Sequence, residues 1–253
     1  MNFSFGNVDK LSDYMIMLNN EHILGTNDYR PQNKNQKYWD FLLGPVKNNS
    51  EFWNGKKALD FGTGLGRNIE NLIYLSKWDS LYAVDLSQKN VEKLKSTFPS
   101  NCNFFKTNGR NLKIFKDNSF DFVISTLVFQ HLAVYELRLE LLKEIYRVMN
   151  QDAIFTFQMG YGNDLNERAY PNHYFCLMRT GTLTTPSRLK VADYYENIYD
   201  AIGSNGELDC RVTNPNQIIS DLNNIGFKNI EYIIDDSFDD YIHKKWIYLK
   251  AEK

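Results

Sequence analysis

From Lys57 onward the chain alternates short apolar runs with amphipathic stretches. K-A-L-D-F (Lys57 to Phe61) is an apolar run ending in glycines, which predicts a buried strand. Arg67 to Ser76 follows with Ile69, Leu72, Ile73 and Leu75 at helical spacing. Ser80 to Val84 reads as a second strand, and Ser87 as the N-cap of a helix over Gln88 to Phe98. Asn103 to Lys106 and Phe120 to Ser125 are the third and fourth strands, Tyr135 to Met149 a long amphipathic helix, and Ala153 to Gln158 the fifth strand. Near the end, Asn214 caps a helix with Pro215 in its first position and Gly226 at its stop. Asn229 to Ile234 and Lys245 to Lys250 are the last strands. Strands alternating with helices of this length predict an α/β fold with a mostly parallel, doubly wound sheet.

Two regions stand outside this alternation. Residues 1–50 are polar and mixed, with helical signals over Asp9 to Asn19 and Gln36 to Leu43, and read as an N-terminal cap segment. Met159 to Val212 shows no clear strand and carries seven aromatics, six of them Tyr. Ligands of doubly wound sheets bind beyond the carboxyl ends of the strands, so an insertion after the fifth strand is expected to lie over the site as a lid. The whole is read as one domain: cap 1–50, core 51–158, substrate lid 159–212, and the rest of the core 213–253.

Composition narrows the field. With 253 residues, 43% of them hydrophobic, the chain can bury a core without staples. A formal net charge of −2 argues against a nucleic-acid partner, and no run approaches the length of a membrane span. Met1 to Asp13 lacks a basic stretch followed by an apolar core, and three scattered cysteines (Cys102, Cys176, Cys210) fit a reducing compartment, so a cytoplasmic location is expected. Asp235-Asp236 and Asp239-Asp240 read as a solvated acidic turn, and no metal site is expected.

The most informative residues are D-F-G-T-G-L-G-R-N (Asp60 to Asn68). Gly62, Gly64 and Gly66 stand directly between a strand and a helix. There a chain turns sharply or lets a ligand touch backbone, and the helix amides favour an anion. The dinucleotide pattern G-x-G-x-x-G fails, because Arg67 occupies its third glycine position. Nineteen residues after Gly66, Asp85 ends the second strand, where a carboxylate can accept both hydroxyls of a ribose.

This combination resembles the class I (Rossmann-like) methyltransferases that use S-adenosylmethionine (SAM) and release S-adenosylhomocysteine. The likeness continues through K-T-N-G-R-N-L, D-N-S-F-D-F-V-I-S-T-L-V-F-Q-H-L, N-I-G-F-K-N-I and K-K-W-I-Y-L-K-A. In the place of the usual R-V-L-K-P-G-G stands R-V-M-N-Q-D-A, so the turn into the fifth strand must be built differently. The resemblance implies a seven-stranded sheet whose last strand is antiparallel. It implies a cofactor site made of Asp60, Gly62, Thr63, Gly64, Arg67, Asn68, Asp85, Leu86, Asn108, Gly109 and Thr126, with Asn108 where the family more often has Asp.

SAM carries an already activated methyl, so the protein must align a nucleophile, exclude water and, for a hydroxyl acceptor, remove a proton. His131, after the fourth strand, and His173, in the insertion, are the candidate bases. Tyr161, Arg168, Tyr174 and Arg179 are candidate substrate contacts, as are Asn163 and Arg188. Tyr14, Tyr29 and Trp39 either close the cofactor pocket or pack in the core. Without an N-P-P-Y motif or a Pro-Cys pair, DNA amino- and cytosine-C5-methyltransferases are excluded. The expected acceptor is a small polar molecule. O-methylation of a sugar, nucleotide sugar or phosphorylated precursor of bacterial polysaccharide comes first, since T-N-G-x-x-L, D-N-S-x-D-F-V and V-F-x-H are similar to enzymes of that kind. N-methylation of a small phosphorylated amine is the alternative. Readings of another class are a SAM-binding regulatory subunit and an NAD-dependent oxidoreductase. Monomer and homodimer both remain open.

Overall fold

The computed structural model describes Ile16 and residues 37–132, 135–161, 176–178, 208–212, 214–235 and 245–253. At its centre is a sheet of β1 (Lys57–Phe61), β2 (Ser80–Asp85), β3 (Cys102–Lys106), β4 (Phe120–Ser125) and β5 (Met149–Tyr161), in the order β3-β2-β1-β4-β5, all parallel. Past β5 it continues antiparallel through β9 (Lys245–Glu252) to β8 (Lys228–Asp235). The expected seven strands and the reversed last strand are therefore present.

Helices cover both faces. α1 (Arg67–Leu75) follows β1, α2 (Gln88–Thr97) follows β2, α3 (Tyr135–Val148) precedes β5 and α4 (Pro215–Ile225) precedes β8. Their starts use the expected chemistry. Ser87 Oγ accepts from Asn90 N, and Asn214 with Gln217 forms a capping box ahead of Pro215. Successive strand residues point to opposite sides, so β1 sends Ala58 into one apolar cluster and Leu59 and Phe61 into the other. One cluster joins the sheet to α3 and α4 through Leu141, Ile145, Ile218 and Leu222. The other joins it to α1 and α2 through Ile69, Leu72, Val91 and Leu94. With both faces covered, β1 is buried from Ala58 to Phe61, which is why it reads as a continuous apolar run.

The insertion differs from its sequence reading. β5 runs to Tyr161, and two further strands are present, β6 (Cys176–Met178) and β7 (Leu208–Val212), antiparallel to each other. β7 pairs in parallel with Gly160 and Tyr161, while β9 pairs with the same two residues from the opposite side. A strand that gains partners only from distant residues leaves no local alternation to read. The remaining residues of the proposed lid lie outside the described ones.

The start of β5 replaces the missing Pro-Gly-Gly. Between the pairs Phe120↔Met149 and Phe122↔Ile154 the β5 side carries extra residues, and Asp152 turns the chain at φ 62. Asn150 Nδ2 donates to Asp121 Oδ1 at 2.8 Å and steadies the bulge.

The expected helix over Gln36 to Leu43 is a single π turn, Tyr38–Leu42, followed by short turns at Gly44–Lys47 and Ser50–Trp53. Leu42, Leu43, Val46 and Trp53 bury this segment in the same cluster as α1. Of the Asp9 to Asn19 helix only Ile16 is described, and it is helical. Among the described residues no helix is long and apolar enough to cross a membrane.

Candidate functional site

The three glycines after β1 do three different things. Gly62 (φ +76) lets the loop after β4 close down, since a Cβ there would overlap the Val128 side chain. Gly66 (φ +86) precedes α1, and a Cβ on it would sit 2.7 Å from Leu94 of α2 and from Phe98 just beyond it. At Gly64 (φ +55) a Cβ would meet nothing within 4 Å, so bare backbone lines an open hollow there. The first amides of α1 open onto the same end of the sheet.

Asp85 closes one side of this hollow. Gly62 N and Thr63 N both donate to Val84 O, at 2.9 and 3.0 Å, which brings the loop against the end of β2. Asp85 Oδ2 accepts from Gly64 N at 2.8 Å, and Oδ1 accepts from Ser87 N at 2.8 Å and Asn90 Nδ2 at 3.3 Å. Burial raises its pKa against the pull of these donors. Leu86 follows it and faces Gly109, whose lack of a Cβ leaves room for Leu86 and Ile16.

On the other side lies a buried polar cluster. Asn68 Nδ2 donates to Asp60 Oδ1 at 2.7 Å and to Thr126 Oγ1 at 3.0 Å. Arg67 Nη2 donates to the same Thr126 oxygen at 2.8 Å. Tyr38, from the N-terminal segment, donates its hydroxyl proton to Asn68 Oδ1 at 2.7 Å and accepts from Asn71 Nδ2 at 2.9 Å. The Arg67 guanidinium stands 5.1 Å from the Tyr38 ring centre. Burial pushes the Asp60 carboxyl up to about 6, although the Asn68 hydrogen bond, the neighbouring Thr63 hydroxyl and the Arg67 charge oppose the shift. Burial likewise pushes the Tyr38 phenol up to about 12. Asp60 Oδ2, Thr63 Oγ1 and Arg67 Nε are buried without a hydrogen-bond partner. Buried polar atoms are rarely left so, and an acceptor, a hydroxyl and a cationic donor beside an open hollow suit a polar ligand carrying both charges.

The end of β4 forms the rim. Ser125 Oγ donates to Phe61 O at 2.8 Å and ties β4 to β1. Leu127 then adopts φ 59, a left-handed conformation costing a non-glycine residue roughly 1–2 kcal/mol. The short helix Phe129–His131 follows. His131 is half-buried, with its Nε2 3.3 Å from Nε2 of the buried Gln130, whose Oε1 has no partner. Arg138 Nη1 donates to Leu132 O at 2.8 Å and fixes the turn from α3.

Of the expected cofactor residues, Asp60, Arg67, Asn68 and Thr126 share one hydrogen-bonded cluster, and Gly64 and Asp85 are bonded to each other. Asn108 is exposed, and its Oδ1 accepts from Arg110 N and Asn111 N, so its carbonyl serves the turn and only its amide N–H groups remain to face a base. Tyr161 ends β5, paired with Val212 and Lys245. Trp39 packs edge-on against Tyr38 at 5.9 Å and joins the apolar cluster behind α1. His173, Asn163, Arg168, Tyr174, Arg179, Arg188, Tyr14 and Tyr29 lie outside the described residues.

Sequence reasoning missed Tyr38, Asn71 and Gln130. Tyr38 falls within the helical signal over Gln36 to Leu43 and Asn71 within the helix over Arg67 to Ser76, and neither is singled out. The available signal for Asn71 was that Asn68 and Asn71 share one helix face near its start. The acidic run also needs correction at its first residue. Asp235 is only 1% exposed at the end of β8 and pairs with Lys37 Nζ at 2.9 Å, so it is a buried anchor and no part of a solvated turn. Its burial follows from the long-range pairing of β8 with β9, which a local charge count does not register. Asp236, Asp239 and Asp240 lie outside the described residues.

Known proteins share this fold. Residues 59–157 match a family described as a methyltransferase domain. A SAM-dependent methyltransferase of Methanosarcina mazei superposes with a TM-score of 0.57 at 15% identity, over 79% of this chain and 93% of its own. One of Mesorhizobium loti gives 0.54 at 15% identity, over 79% and 92%. A phosphoethanolamine N-methyltransferase 2 of Haemonchus contortus, solved with phosphomonomethylethanolamine and S-adenosylhomocysteine, gives 0.56 at 18% identity. That alignment covers 99% of this chain and 60% of the other. No curated protein sequence matches the chain.

Proposed function

We propose that this chain is a SAM-dependent methyltransferase of the class I fold and that it methylates a small polar acceptor, with a hydroxyl of a sugar, nucleotide sugar or phosphorylated precursor as the first choice. The single observation that carries the cofactor part is the hollow at Gly64, with Asp85 on one side and unpartnered Asp60 Oδ2 and Arg67 Nε on the other. Asp85 and Leu86 serve the ribose and base, and Asn108 and Gly109 line the base. Asp60 serves the α-ammonium of the methionine end and Arg67 its carboxylate. When bound, SAM supplies a methyl group activated by a sulfonium.

His131 is the residue proposed to take the proton of a hydroxyl acceptor, because it stands on the rim formed by the end of β4. The polysaccharide context rests on the likeness of the T-N-G-x-x-L, D-N-S-x-D-F-V and V-F-x-H stretches. A second reading is N-methylation of a small phosphorylated amine, favoured by the fold shared with the Haemonchus enzyme. Residues 159–212 are proposed to bear the acceptor-binding side chains, Tyr161 among them. The protein is proposed to work in the cytoplasm.

The test incubates the protein with methyl-labelled SAM and pools of sugars, nucleotide sugars and phosphorylated amines, and locates the label in the product. Label on a hydroxyl oxygen supports the first reading. Label found only on nitrogen replaces it with the second.

A further inference from the structure

Among the described residues of the N-terminal segment, Tyr38 brings a hydroxyl into the polar cluster beside the hollow. Tyr38 OH sits between Asn71, which donates to it, and Asn68, which accepts from it. An asparagine amide offers an oxygen and a nitrogen that look alike in shape, so its orientation is set by its partners. With Tyr38 donating to the Asn68 oxygen, the Asn68 nitrogen is directed to Asp60 Oδ1 and Thr126 Oγ1. That occupies one Asp60 oxygen and leaves Oδ2 as the unpartnered one. The same tyrosine ring stands against the Arg67 guanidinium, whose Nη2 is held by Thr126 while Nε stays unpartnered.

We propose that Tyr38 is a positioning residue for the amino-acid end of the cofactor: acting through Asn68 and Arg67, it presents one carboxylate oxygen and one guanidinium N–H to the ammonium and carboxylate of that end. This inference rests on the SAM reading given above and adds to it a residue from outside the core. Its consequence is that a site built on β1, α1 and β4 is completed by the segment before them.

The segment does not depend on this hydroxyl for its own placement. Lys37 is tied to Asp235, and Leu42, Leu43, Val46 and Trp53 are buried, so Tyr38→Phe removes the hydroxyl and keeps the ring and the docking. The probes are S-adenosylhomocysteine and 5′-methylthioadenosine, the second of which keeps the nucleoside and sulfur but lacks the amino-acid end. In calorimetric titration of the whole chain, Tyr38→Phe is expected to weaken S-adenosylhomocysteine roughly five- to thirtyfold and to leave methylthioadenosine within about twofold, the scale of one or two lost hydrogen bonds. Adding Asn68→Ala to Tyr38→Phe is expected to cost little more than Asn68→Ala alone, because residues acting through one another are not additive. Asn71→Ala, which loosens the hydroxyl from its other side, should give the same split should Tyr38→Phe fold poorly.

Equal weakening of both probes would assign Tyr38 to packing and overturn the proposal. So would unchanged affinity for S-adenosylhomocysteine, or additive losses in the double variant. A wild-type chain that takes neither probe would overturn the SAM reading, and this inference with it.

Discussion

Asp85 Oδ2 accepts the Gly64 amide at 2.8 Å, so the carboxylate and the bare backbone of the hollow are fastened to one another before a ligand arrives. The groups that hold this carboxylate are all donors: Gly64 N, Ser87 N and Asn90 Nδ2. Asp85→Ala removes both the ribose acceptor and the strap on the glycine loop. SAM affinity is expected to fall ten- to a hundredfold, on the order of one or two charge-assisted hydrogen bonds. Asp85→Asn should do no better, because its amide group would point N–H at a donor. Calorimetry with both variants checks this, and unchanged affinity in folded protein would mean the ribose is held elsewhere.

Gly64→Ala and Gly62→Ala are expected to fail in opposite ways. At Gly64 a methyl meets no protein atom, so the variant should fold with a loss of roughly 1–2 kcal/mol from its left-handed backbone. The methyl then occupies ligand space, and SAM binding should weaken more than about tenfold, over 1.4 kcal/mol. At Gly62 the methyl overlaps Val128, which costs fold stability, typically about 1–3 kcal/mol for overpacking on top of the backbone strain. Thermal melts with and without SAM separate the two. Val128→Ala should restore part of the Gly62→Ala loss and none of the Gly64→Ala binding defect.

These contrasts show why part of the site was legible in the chain and part was not. The glycine loop, Asp85 and the caps at Ser87 and Asn214 are local devices, each readable within a few residues of its own element. The roles of Tyr38 and Asn71 depend on a contact across 33 residues, and that of Asp235 on one across 198. No periodicity encodes such meetings. β6 and β7 were missed for the same reason, since their partners are each other and the tip of β5. The π turn at Tyr38–Leu42 shows a further limit: apolar spacing announced a helix, and the buried hydroxyl of its first residue was invisible in that pattern.

His131→Ala is expected to lower kcat for a hydroxyl acceptor by roughly 10²–10⁴-fold while changing SAM affinity little, the usual scale of a general base. Gln130 lies against the ring at 3.3 Å, so Gln130→Ala should give a smaller loss of kcat through ring orientation. Steady-state kinetics with the acceptor identified from the labelled pools provides the measurement. Equal kcat in His131→Ala would place this histidine in packing alone.

The pH dependence of cofactor binding follows from Asp60. Its carboxyl is raised to about 6 by burial, so the folded protein without ligand holds this proton more tightly than the unfolded chain does. The sign for stability is therefore unfavourable to the ionised form. This group's contribution is greatest at low pH and declines as pH rises from its ordinary value of 3.8 toward about 6. Binding runs the other way. A ligand ammonium placed against Oδ2 requires the carboxylate, so below about pH 6 each bound SAM must displace a proton. Affinity should be greatest near about pH 7, fall by up to roughly tenfold per pH unit below 6, and fall again above about pH 8 as the ligand's own α-amino group loses its proton, with proton release on the acid side visible as a buffer-dependent binding enthalpy. In Asp60→Asn the weaker binding that remains should lose most of that slope, with any remainder traced to Asp85, whose pKa burial also raises. A slope as steep in Asp60→Asn as in the native chain would move the titrating group, and with it the ammonium site, away from Asp60.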